Sequence, residues 1–73
     1  MYKLHDIVEY IVMLIGLFAK KYHISEREAQ NYLSHYGALD MIQKHYGVMH
    51  TQRFEDMIEG LTKFCQRNGG NLS

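Results

Sequence analysis

"ISEREAQNYLSHYGALDMIQKHYGVMH", residues 24–50, decides how this chain divides, because it holds one complete helix-start signal and two copies of His-Tyr-Gly ten residues apart. Ser25 is a natural N-cap, Glu28 completes a capping box, and Ile24 and Ala29 occupy the two positions of a hydrophobic staple. From there Ala29, Tyr32, Leu33 and Tyr36 recur at the spacing of one buried helical face, leaving Glu26, Arg27, Gln30 and Asn31 toward water.

Each His-Tyr-Gly reads as a helix ending. Gly37 is the left-handed residue just past the helix, with Tyr36 as its cap, His35 in the last turn and Ala38 placed against Leu33. By the same reasoning Gly47 ends a short helix from about Asp40 to Tyr46, started by Asp40 with Gln43, and Val48 folds back toward Ile42. Histidine suits the last turn of a helix without any chemistry. It donates toward unpaired terminal carbonyls and, when protonated, complements the negative end of the helix dipole.

Upstream, Leu4, Ile7, Ile11, Leu14, Ile15, Phe18 and Tyr22 keep three-and-four spacing, which predicts a helix over 4–22. Tyr10, Val12, Met13 and Leu17 lie off that stripe, so the middle of the helix is apolar nearly all the way round. A chain of 73 residues buries only about 60% of its unfolded surface. Either the helix threads the centre of the domain or its second face packs against another chain, and of the two a homo-oligomer or a protein partner covering Tyr10, Met13 and Leu17 is expected. The uncharged run "YIVMLIGLFA", residues 10–19, is too short for a bilayer, which takes roughly 20 residues. Asp6 and Glu9 stand where a secretory leader is basic, so the run is read as part of the mature fold.

Downstream, "VMHTQ", residues 48–52, reads as an extended connector with no strand to pair with, and Thr51 as the cap of a last helix. That helix carries Phe54, Met57, Ile58, Leu61, Phe64 and Cys65 on one face, a Glu59–Lys63 pair on its surface, and an Arg67-Asn68-Gly69 ending. The expectation is an all-α, four-helix single domain over 1–70, with short turns, two long outer helices, two shorter central ones and a frayed tail at 71–73.

Eight basic residues balance eight acidic ones, so no long-range field draws polyanions or acidic membranes. Cys65 is the only cysteine, which excludes an internal disulfide and fits a reducing, cytoplasmic setting. It lies on the apolar face of the last helix, where a thiol acts as a small hydrophobe. His35, His45 and His50 are spaced by ten and five, whereas paired metal ligands on a helix sit three or four apart, so no metal, cofactor or catalytic residue is assigned. Tyr32, Tyr36 and Tyr46 read as rings at the rim of a small core, with a stacking surface as the other possibility. Several short helices also supply the raw material of a helix-turn-helix, and a small nucleic-acid-binding regulator is the alternative function. Against it, "LDMIQKHY", residues 39–46, carries one lysine and one aspartate.

Residues 18–52 resemble the bacterial domain of unknown function 3791 family. The resembling marks are Lys-Tyr-x-Ile-Ser at 21–25, Tyr-Gly at 36–37, Leu-Asp at 39–40 and Val-Met-His-Thr-Gln at 48–52, with a looser likeness through Asn68-Gly69-Gly70. Met49 stands where the family has leucine, and Arg53 where a small polar cap such as serine is common. The resemblance implies a small helical bacterial protein. Its members look like ones encoded beside proteins similar to ADP-ribosyltransferase toxins, which implies an accessory or antitoxin-like role. It also draws attention to His50, Thr51 and Gln52 at a helix entrance, where backbone N–H groups receive an anion or a partner's carboxylate, or where Thr51 caps and His50 packs locally. The expected function is a non-enzymatic protein-interaction module.

Overall fold

Ser25 and Glu28 exchange both bonds of the capping box: the Glu28 N–H donates to Ser25 Oγ at 3.0 Å and the Ser25 N–H to Glu28 Oε1 at 2.9 Å. The donation from the Ser25 backbone, helped by its side chain, holds the Glu28 carboxyl below its usual range. This start sets the second of four helices: α1 (Leu4–Tyr22), α2 (Glu26–His35), α3 (Ala38–Met49) and α4 (Phe54–Arg67). The structure, a computed structural model, describes residues 3–71. No strand occurs among the described residues. The expected tail at 71–73 lies, beyond Asn71, outside them.

Two αL residues separate the first three helices. His23, at φ 56°, ends α1: the Ile24 N–H reaches back to the Ala19 carbonyl at 3.0 Å and the His23 N–H to the Lys20 carbonyl at 3.4 Å. This is a Schellman ending with histidine in the place glycine usually takes. Gly37, at φ 79°, separates α2 from α3, with its N–H on the Ser34 carbonyl at 3.2 Å. The first His-Tyr-Gly is thus the ending its sequence suggests.

The second is not. Gly47 lies inside α3 and has no positive φ, and Val48 is 67% exposed instead of folding back toward Ile42. The helix is interrupted at His45 (φ −112°, ψ 17°) and resumes through Met49. Continuing it buries Tyr46 and Met49 and brings the Met49 carbonyl to the Tyr10 hydroxyl at 3.0 Å. That gain is tertiary, and a local stop at Gly47 forfeits it. The connector is correspondingly shorter than expected: residues 50–52 form a turn and only Arg53 is extended.

α1 packs against each of the other three helices, so it is the hub of the domain and not an outer helix. Its buried side chains are Tyr10, Leu14, Ile15, Phe18 and Ala19, and they meet Ala29 and Leu33 of α2, Ala38, Ile42, Tyr46 and Met49 of α3, and Ile58, Leu61 and Cys65 of α4. Leu4, expected in the core, is 75% exposed. At about 1.5 Å per residue α1 is roughly 28 Å long, longer than any helix beside it, so its first turn projects past the core.

Aromatic contacts finish both ends of the core. At one end Phe18 stacks on Tyr32 at 5.9 Å, and Tyr32 meets Tyr36 edge-on at 4.9 Å. At the other, Tyr10 meets Tyr46 edge-on at 5.3 Å and stacks on Phe54 at 5.9 Å. Tyr32, Tyr36 and Tyr46 are therefore core and rim residues.

Candidate functional site

The exposed apolar surface of α1 is split. Turning about 100° per residue, Val8 and Val12 fall on one flank and Met13 and Leu17 on the other, with His5, Glu9, Gly16 and Lys20 between them. Val12 borders a groove shared with Ile15, Glu26, Arg27 and Gln30, against α2. On the opposite flank Met13 is 51% and Leu17 39% exposed, and Leu17 continues into an open groove with Lys21, Phe54, Glu55 and Ile58, against α4.

Of the three residues expected to meet a partner, two stand on that second flank. Tyr10 does not. It is buried, its hydroxyl donates to the Met49 carbonyl, and burial together with the neighbouring Tyr46 phenol pushes its pKa up. Its ring fills the junction of α1, α3 and Phe54, so Tyr10 is a core residue. Phe54, Lys21 and Glu55 join Met13 and Leu17 instead. Nothing in the order of residues announces this, because Phe54 reaches Leu17 only through the packing of α4 on α1.

His50, Thr51 and Gln52 all serve the end of α3. The Tyr46 carbonyl accepts from the His50 N–H at 2.9 Å and lies 2.8 Å from His50 Nδ1. A carbonyl only accepts, so Nδ1 carries a proton. The imidazole also stacks on the Tyr46 ring at 4.7 Å. Thr51 Oγ1 donates to the Val48 carbonyl at 2.7 Å, and the Gln52 N–H to the Met49 carbonyl at 3.0 Å. Thr51 therefore closes α3 and does not cap α4.

Arg53 occupies the N-cap position of α4 and makes no side-chain cap there; its guanidinium pairs with Glu55 at 2.6 Å. Glu55 and Asp56 already complement the positive end of the α4 dipole, and their charge opposes an anion. The segment before α4 thus closes α3 through Thr51 and leads into an acidic first turn.

Cys65 is fully buried, and burial pushes its thiol up to about 11, so it stays protonated and poorly nucleophilic at neutral pH. No cluster of three His, Cys, Asp or Glu side chains suited to a metal occurs among the described residues. No helix among them is long and apolar enough to cross a membrane. One buried polar contact has no sequence signal: Thr62 Oγ1 donates to the Ile58 carbonyl at 3.0 Å, which leaves its lone pairs to accept from the Tyr22 hydroxyl at 2.6 Å. The two residues are 40 apart.

The family model described as Protein of unknown function (DUF3791) matches residues 9–68. The chain belongs to that family. The DUF3791 match takes in the capping box, the Gly37 ending, the break at His45 and the whole of α4, together with Met13 and Leu17; Leu4 and Val8 fall outside it. No curated protein matches the chain significantly, and neither does any solved structure.

Proposed function

We propose that this DUF3791 chain is a non-enzymatic protein-interaction module that docks through the Met13–Leu17 flank of α1 and the groove continuing over Phe54. The observation that carries the reading is the exposure of Met13 and Leu17 on one flank of α1 and the continuation of Leu17 into the open groove with Phe54 and Ile58. Burying such side chains against another molecule contributes about 25 cal/mol per Å² of apolar area.

The partner is a second copy or a different protein. The gene neighbourhood implied by the family resemblance makes an ADP-ribosyltransferase-like protein the first to test, which corresponds to an accessory or antitoxin-like role. Light scattering of the purified chain reads self-association, and co-purification with that neighbour reads the heteromeric case. Met13→Glu and Leu17→Glu alter exposed positions, so both variants are expected to fold while losing the complex. A monomeric wild type that captures no neighbour, or a complex indifferent to both substitutions, overturns the reading.

A further inference from the structure

A second groove runs between α3 and α4, away from the Met13–Leu17 flank. Three of the chain's five methionines line it, Met41 and Met57 half-buried beside Phe64 and Met49 buried beneath them with Leu61. Methionine is unbranched and polarisable, and surfaces rich in it repack around varied apolar partners. The ionisable residues of the lining are Arg67 on α4 and His45 on α3, where the helix breaks; no acidic side chain is among them. Neither stands in an ion pair among the described residues.

Gly60, also in the lining, is the independent observation. It sits in the interior of α4, outside the positive-φ region, and a Cβ built there would meet nothing within 4 Å. A helix-interior glycine costs about 1 kcal/mol relative to alanine, and neither backbone conformation nor internal packing requires one here. What the missing side chain provides is room for another backbone to approach.

We propose that the α3–α4 groove is a docking site for an acidic amphipathic helix of a partner protein, its apolar side seated on the methionines and its carboxylates drawn to Arg67 and His45. The basic rim matches carboxylates, and the groove is open along one side. A small amphiphile needs most of its surface enclosed, whereas a helix lays one face into a channel of this form. The site is separate from the α1 flank, so it makes the module two-sided.

The test uses the intact chain and a synthetic helix-forming peptide with leucine at i, i+3, i+4 and i+7 and glutamate on its outer positions. A second peptide replaces every glutamate with lysine. Methyl resonances of the methionines report the outcome, with Met13 as an internal control for the other face. The expected result is that the glutamate peptide shifts Met41, Met49 and Met57 but not Met13. Arg67→Glu is expected to weaken binding at least tenfold, and Gly60→Glu to block it while thermal unfolding shows the fold retained. The inference is overturned by silent groove methyls, by equal binding of the lysine peptide, by a Gly60→Glu variant that binds as the wild type does, or by groove shifts that follow protein concentration without peptide. None of these outcomes depends on whether the Met13–Leu17 reading succeeds.

Discussion

The Tyr10 hydroxyl donates to the Met49 carbonyl at 3.0 Å, across 39 residues of chain, and ties the middle of α1 to the last turn of α3. Met49 ends its helix, and its carbonyl accepts from both the Gln52 N–H in the following turn and the Tyr10 hydroxyl. The same ring packs edge-on to Tyr46 and stacks on Phe54, so one side chain sets the mutual position of three helices.

Tyr10→Phe keeps that ring and removes one of the two donors to the Met49 carbonyl, which still accepts from the Gln52 N–H. It is expected to cost about 0.5–1.5 kcal/mol, the net contribution of one hydrogen bond, read as a lower urea midpoint at unchanged slope. A loss near zero would mean that the Gln52 N–H alone satisfies the carbonyl.

Alkali should unfold the protein through two buried acids. Burial raises the Cys65 thiol to about 11 and, with Tyr46, raises the Tyr10 phenol. In both, the folded state binds its proton more tightly than the unfolded state. The stability they contribute is fully present below the ordinary thiol and phenol values and is lost as pH rises through the folded ones. Urea titrations between pH 8 and 11 are expected to show a loss on the order of 2 kcal/mol from Cys65. Cys65→Ala should begin less stable and decline less steeply over that range; parallel curves for the two proteins would contradict this account.

His23→Gly should stabilise the chain. A histidine at φ 56° bears the crowding of an L side chain in the left-handed region, and glycine relieves it while keeping the Schellman bonds. After allowance for the greater freedom of an unfolded glycine, the expected gain is roughly 0.5–1 kcal/mol in thermal or urea unfolding. His23→Val should lose stability, because a β-branched side chain tolerates that conformation worst.

Arg53→Ser supplies the cap that α4 lacks. A serine oxygen accepting from the first turn is expected to add about 1 kcal/mol. The Arg53–Glu55 pair that it removes is exposed on both sides and contributes little. An unchanged midpoint would show that the α4 entrance is already satisfied by water.

Glu59 and Lys63 pair at 3.1 Å as their spacing suggests, and α1 has the bounds its apolar periodicity gives it. The Ser25 capping box and the Gly37 ending are equally legible. All of these are agreements between residues three to five apart. The exposure of Met13 and Leu17 follows from the excess of apolar side chains on α1, although which flank they occupy does not.

What the sequence by itself determined was therefore the set of helices, the first two turns and the apolar faces, because those rest on backbone geometry and near neighbours. The tertiary structure alone decided that Gly47 stays helical, that Tyr10 is core while Leu4 is bare, that Thr51 closes α3 and that Thr62 answers Tyr22. In each case the competing local conformations differ by about a kcal/mol or less. Burial of Met49 and Tyr46, or a hydrogen bond to a residue some forty positions away, outweighs that difference.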